Sequence, residues 1–89
     1  MESAEAHFKK AWQLRRDKRW QEAIAEFQAS LEFLPDHAAT HFNLGQVYEK
    51  VGDLKKAAFH MKQARDLFLA KNDSHNQNTA QRLLDLYTQ

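Results

Sequence analysis

The chain has 89 residues, with 13 Lys plus Arg against 12 Asp plus Glu and a formal net charge of +1. That balance gives no global field toward nucleic acid or an anionic membrane, and the length suits one domain with a modest core. The absence of cysteine excludes a disulfide framework and any thiolate metal site. No apolar run approaches the length of a membrane span or a signal-peptide core, so a cytoplasmic location is the default expectation. Two Gly, one Pro and few β-branched residues predict an all-α fold.

In chain order, the first helix is expected over 3–17, with Ser3 as N-cap and Glu5 in the first turn, where negative charge suits the helix dipole. A second helix over 20–33 carries Trp20, Ala23, Ile24, Phe27, Ser30 and Leu31, and Leu34-Pro35 closes it. Asp36 is the expected cap of the third helix, over 37–51. In that helix Leu44, Gly45 and Tyr48 share a face. Gly45 leaves a gap for a second helix to approach, with bulk on either side. The fourth helix, over 54–71, presents the narrow stripe Ala57, Met61 and Ala64, suited to nest there as an antiparallel partner. Gly52-Asp53 between them supplies a left-handed residue past one helix end and a cap for the next. Asn72-Asp73-Ser74 interrupts the pattern. A fifth helix is expected over 74–88, starting from Ser74 with Gln77 at capping-box spacing.

Shifting the sequence by 34 positions brings Ala38, His41, Phe42 and Ala57 onto Ala4, His7, Phe8 and Ala23, all identical, and Gly45 and Tyr48 onto Ala11 and Leu14. This is an internal repeat. The fifth helix has one apolar stripe, Ala80, Leu83, Leu84 and Tyr87, and a polar back; it reads as a cap over the open face of the second copy.

Leu44-Gly45 with Tyr48, then Ala57 and Met61, at a repeat of 34 residues resembles the tetratricopeptide repeat family. The second half of the first copy, from Trp20 through Ala23, Ile24 and Phe27 to Pro35, is similar to the second helix of the same repeat. Three positions depart from the pattern: Lys10 stands for Leu44, Lys18 stands for the turn glycine at 52, and Leu69 stands where the closing proline falls. The resemblance implies an α-solenoid: antiparallel helix-turn-helix repeats in a right-handed superhelix, with repeats at 4–37 and 38–71 and a capping helix at 74–88. It implies a protein–protein interaction module, an adaptor or scaffold that holds a peptide or helix in a concave groove. The alternatives are a self-association scaffold forming a homo-oligomer and, third, a basic RNA-contacting module.

The first helix of each repeat lines the groove in this family. The resemblance places Glu5, Phe8, Trp12 and Arg15 there in the first copy, and Ala39, Phe42, Asn43, Gln46, Glu49 and Lys50 in the second. The expected partner-binding residues are Phe8, Trp12, Arg15, Phe42, Asn43, Gln46 and Lys50. Asn43 matches an asparagine with which relatives hold a ligand's main chain. Phe8 and Trp12 replace the lysine and asparagine of a carboxylate-clamping member, which favours an apolar or aromatic ligand over a peptide carboxy-terminus. Arg15 and Lys50 at the groove's end could meet an acidic residue. The competing assignment packs Phe8 and Phe42 into the helix interface.

Neither catalytic nor cofactor chemistry is indicated. His37 and His41 are four apart, a spacing that can serve a metal, but no third ligand pattern accompanies them. There is no nucleophile elbow and no phosphate-cradling glycine loop. The expectation is a non-enzyme with no metal and no cofactor. Lys9, Lys10, Arg15, Arg16, Lys18 and Arg19, interleaved with Trp12 and Trp20, have the composition of a single-strand surface. Most of these charges fall where the first helix ends, where the dipole favours cations, and this bland account is preferred to nucleic-acid binding.

Overall fold

The computed structural model describes residues 2–89. Five helices follow one another: α1 (Ala4–Arg16), α2 (Trp20–Phe33), α3 (Ala38–Lys50), α4 (Leu54–Ala70) and α5 (Ser74–Tyr87). No strand occurs among the described residues. Each helix packs on its neighbours in the chain, α1 with α2, α2 with α3, α3 with α4 and α4 with α5. The fold is all-α, as the scarcity of Gly, Pro and β-branched residues predicts.

Three of the four connections share one closure. After α1, the Lys18 N–H donates to the Arg15 carbonyl and the Arg19 N–H to the Leu14 carbonyl. After α3, Gly52 and Asp53 donate to Glu49 and Tyr48; after α4, Asn72 and Asp73 donate to Leu69 and Phe68. This pair of backward bonds satisfies the last carbonyls and needs a left-handed residue at its centre. Gly52 has φ +83, and Lys18 and Asn72 have φ +61 and +59. Lys18, at the position equivalent to the turn glycine, therefore adopts the conformation that glycine would take at less steric cost, roughly 1 kcal/mol.

The caps are specific and two differ from expectation. Ser3 Oγ accepts from the Ala6 N–H at 3.1 Å and Asp53 Oδ1 from Lys56 at 3.1 Å, as expected. Helix α3 is capped by His37 rather than Asp36: its Nδ1 accepts from the Thr40 N–H at 3.3 Å and lies 2.6 Å from the Thr40 hydroxyl. Helix α5 is capped by Asp73, which accepts from the Asn76 N–H at 3.2 Å and its side-chain amide at 2.8 Å, so Ser74 is the first helical residue. A carboxylate one residue upstream accepts from two donors at once and displaces the hydroxyl from the role.

The core begins where α1, α2 and α3 meet. Ala11, Leu14, Ala23, Ile24, Phe27, Leu44, Val47, Tyr48 and Ala57 form one buried cluster, with Phe8, Trp20, Leu31 and Tyr87 packed against it. Met61, Ala64, Ala80 and Leu84 form a second, with Phe42, Phe68 and Leu83 at its margin. Polar ties join the helices. Ser30 Oγ–H donates to the Ala4 carbonyl at 2.9 Å, and the Gln28 amide donates to the Tyr48 hydroxyl at 2.9 Å.

At the α3–α4 crossing a Cβ on Gly45 would lie 3.1 Å from the Ala57 carbonyl oxygen and 3.1 Å from Met61 Cε. The backbone of one helix thus touches that of the other where glycine is placed. Gly45→Leu is expected to lower stability by about 1–3 kcal/mol despite the helix preference of leucine. A rise in melting temperature would mean that α3 and α4 separate at no cost.

Helix α5 seats Ala80 and Leu84 against Met61 and Ala64. Ending the chain after Lys71 uncovers that apolar face, and at about 25 cal/mol per Å² the loss is several kcal/mol, comparable with the whole stability of a small domain. The truncated chain is expected to lose cooperative thermal unfolding or to aggregate. An unchanged melting curve would show α5 to be dispensable.

Candidate functional site

The seven residues expected to bind a partner separate into two groups. Phe8 packs edge-on against Phe27 of the core, ring centres 5.8 Å apart, and against His37 at 5.5 Å. Phe42 packs edge-on against Phe68 of α4 at 6.2 Å. Both rings are partly buried, so the interface assignment describes most of their surface. Trp12 is different. It is 44% exposed on α1, and the Arg15 guanidinium lies 5.2 Å from its ring centre.

Arg15 crosses from α1 to α3. Its Nη1 donates to Asn43 Oδ1 at 2.5 Å and its Nη2 to Gln46 Oε1 at 2.8 Å. Asn43 is only 8% exposed, and its own amide nitrogen donates to the Ala39 carbonyl at 2.8 Å. The amide that the resemblance offers to a ligand's main chain is thus turned inward in the structure, where it holds Arg15. Asn43 and Gln46 are three apart on α3 and share a face, so together they accept both arms of one guanidinium. Lys50, at the end of α3, is exposed.

Tyr87 of α5 completes the arrangement and was assigned by sequence only to the cap stripe. It packs against both core clusters. Burial pushes its hydroxyl above the ordinary tyrosine value, Glu49 adds to the shift and Arg15 opposes it. Burial also pulls the Arg15 guanidinium below its usual value, partly offset by Tyr87. The group remains charged at any ordinary pH. Three helices that are not consecutive in sequence, α1, α3 and α5, therefore meet around Arg15.

Three of the basic residues around Trp12 and Trp20 are paired with carboxylates. Lys9 pairs with Glu5 at 3.2 Å, Lys10 with Glu26 at 3.6 Å and Arg19 with Glu22 at 2.8 Å. Trp20 is half-buried against the first core cluster.

The two histidines four apart, His37 and His41, make other contacts. His37 caps α3. His41 Nε2–H donates to the Pro35 carbonyl at 2.8 Å, which leaves its Nδ1 to accept from His60 Nδ1–H at 3.1 Å. His60 lies nearly parallel to the Tyr48 ring, 11° between planes and 5.5 Å between centres. Among the described residues no three His, Cys, Asp or Glu side chains group as a metal would require. His60 was not singled out by sequence, because its partners sit 19 and 12 residues away on another helix. Among the described residues no helix is long and apolar enough to cross a membrane.

The architecture defines a helical-repeat solenoid. A family model for the tetratricopeptide repeat matches residues 2–70, and the chain belongs to that family. Its members are protein–protein interaction modules and typically non-catalytic. Two solved structures of a tetratricopeptide repeat domain protein from Salinibacter ruber share the fold. The solution NMR structure has a TM-score of 0.85 at 19% identity, covering 97% of this chain and 87% of its own. The crystal structure has a TM-score of 0.85 at 18% identity, covering 98% and 97%. No curated protein sequence matches the chain.

Burial, with the nearby charges of His41 and Lys56, lowers the His60 pKa from 6.5 to about 4. Burial also lowers that of His37, helped by Lys71 and His41. With the pKa lowered in the folded chain, each group makes the unfolded state bind more protons as pH falls below 6.5. The His60 contribution is complete above that pH and is lost as pH falls toward about 4, and the His37 contribution changes in the same direction. Stability is expected to drop by roughly 1 kcal/mol between about pH 7 and about pH 5, less than the full-burial ceiling because both rings keep some water contact. His60→Gln, which can still donate to His41, should flatten part of that slope in urea unfolding. An identical slope would place the proton uptake on other groups.

Proposed function

We infer that this domain holds a segment of a partner protein on the face shared by α1 and α3, with α5 at its side. The observation that carries the reading is Trp12, a 44% exposed indole on α1, set beside a guanidinium held by two side chains of the next repeat. A large ring with nearby polar groups has the composition of an interface hot spot. Gln46 and Lys50 extend the surface along α3, and Phe8 and Phe42 supply the partly covered apolar floor. Asn43 acts by aiming Arg15. The repeats at 4–37 and 38–71 and the capping helix at 74–88 are the units from which this face is built.

A second copy of the chain is the alternative occupant, favoured by Leu86, Leu69 and Phe59, which are large, apolar and exposed. Light scattering over a concentration series separates the two, since a self-associating scaffold grows in mass without any added protein.

Trp12→Ala is expected to weaken retention of a protein captured from native lysate by about 2 kcal/mol, roughly thirty-fold, with little change in melting temperature. Lys62→Ala, exposed on α4, serves as the control. If Trp12→Ala unfolds the domain, the indole belongs to the core; if it folds and binds normally, the partner uses another face.

A further inference from the structure

Among the lysines and arginines of the described residues, only Arg15 and Arg65 are partly withdrawn from solvent. Arg65 has a carboxylate, Asp66 at 2.9 Å, and also donates to Gln81 of α5. Arg15 has none within ion-pair distance; its two acceptors, Asn43 and Gln46, are neutral amides. A guanidinium has five N–H donors, and two are used here. Its charge is partly withdrawn from water, its arms are fixed by neighbours that do not neutralise it, and one face lies against an indole. Such a group is poised for an anion that the chain does not itself provide.

Resting on the groove reading above, we propose that Arg15 is the receptor for an acidic side chain of the bound segment, whose adjacent large apolar residue covers Trp12. The occupant is a partner protein carrying Asp or Glu beside an aromatic or large aliphatic residue. The distance between the two subsites sets the spacing. Arg15 Cζ is 5.2 Å from the Trp12 ring centre, which matches side chains three to four apart on a helix, about 5–6 Å, and is within reach of side chains two apart on one side of an extended strand, about 7 Å. The carboxylate accepts from the unused N–H groups at the guanidinium's free edge, since Asn43 and Gln46 occupy the other. Exposed Lys50 adds long-range attraction for the same charge.

The test is selection from a library of random peptides displayed with the carboxy end fused to the carrier, so that only side-chain carboxylates are available. Enriched sequences are then measured as amidated peptides against wild type, Arg15→Gln, Arg15→Lys and Trp12→Ala, each with a melting curve. The expected result is an Asp or Glu at one of the stated spacings from a large apolar residue. Replacing that acid by its amide should weaken binding to wild type about tenfold, and Arg15→Gln should bind acid and amide forms alike. Arg15→Lys, which keeps the charge without the fork, should fall between, and raised salt should weaken binding to wild type. The acid-to-amide comparison on unmutated protein holds even if an Arg15 variant misfolds. Peptides that depend on Trp12 but bind equally well as amides overturn the acidic receptor and leave the groove reading standing. Peptides indifferent to both Trp12 and Arg15, or no enrichment at all, overturn both.

Discussion

The close approach of α3 and α4 at Gly45 governs the arrangement of everything after it. With a glycine hydrogen facing the Ala57 carbonyl and the Met61 methyl, the two helices pack backbone to backbone, and Leu44, Val47 and Tyr48 are driven toward α2. Met61 and Ala64 are in turn left facing the other way, toward Ala80 and Leu84 of α5. A helix pair has two sides, and small residues at its centre let each side bury against a different neighbour. The first pair uses Ala11 and Ala23, both fully buried, at the positions equivalent to Gly45 and Ala57. One methyl at that crossing is thus tolerated by the first pair, while the second meets a backbone oxygen.

The helices were legible because their determinants are local. Capping side chains, breakers and apolar spacing act within a few residues, and they place all five elements to within a residue or two. The two misassigned caps show the limit. Asp36 against His37 and Ser74 against Asp73 are choices between adjacent polar residues, decided by which side chain reaches a free N–H once the turn is formed. The departure at Lys18 was legible as a departure but not in its consequence. The two backward hydrogen bonds and the packing of the following helix hold a lysine at φ +61, so the turn is kept by its surroundings where the residue does not favour it.

The candidate site was legible in membership more than in geometry. A repeat register tells which residues lie on the first helix of each pair, and so it gathers Trp12, Arg15, Asn43 and Gln46 correctly onto neighbouring elements. It does not tell that Arg15 spans 28 and 31 residues to reach the two amides, because the position equivalent to Arg15 on α3 is Glu49, one turn beyond them. An arginine near the end of one first helix and two amides three apart on the next is the pattern that would have found the bridge. Tyr87 was hidden for a similar reason: its place on the cap stripe accounts for it completely until α5 is seen to end beside α3.

Arg15 also couples the site to the fold. Helices α1 and α3 pack together mainly through α2, and the guanidinium bridge joins them directly across the exposed face. Its geometry therefore depends on the angle between the two repeats, a quantity set by the core cluster beneath. A ligand that favours the aimed guanidinium favours that angle, and by linkage it stabilises the packed repeats by an amount fixed by its concentration relative to Kd. A change that loosens the α2–α3 contact, such as loss of the Gln28 bond to Tyr48, would weaken binding without touching the ligand. If the face between α1 and α3 holds a partner, its affinity and the stability of the packed repeats are expressions of the same inter-helix packing.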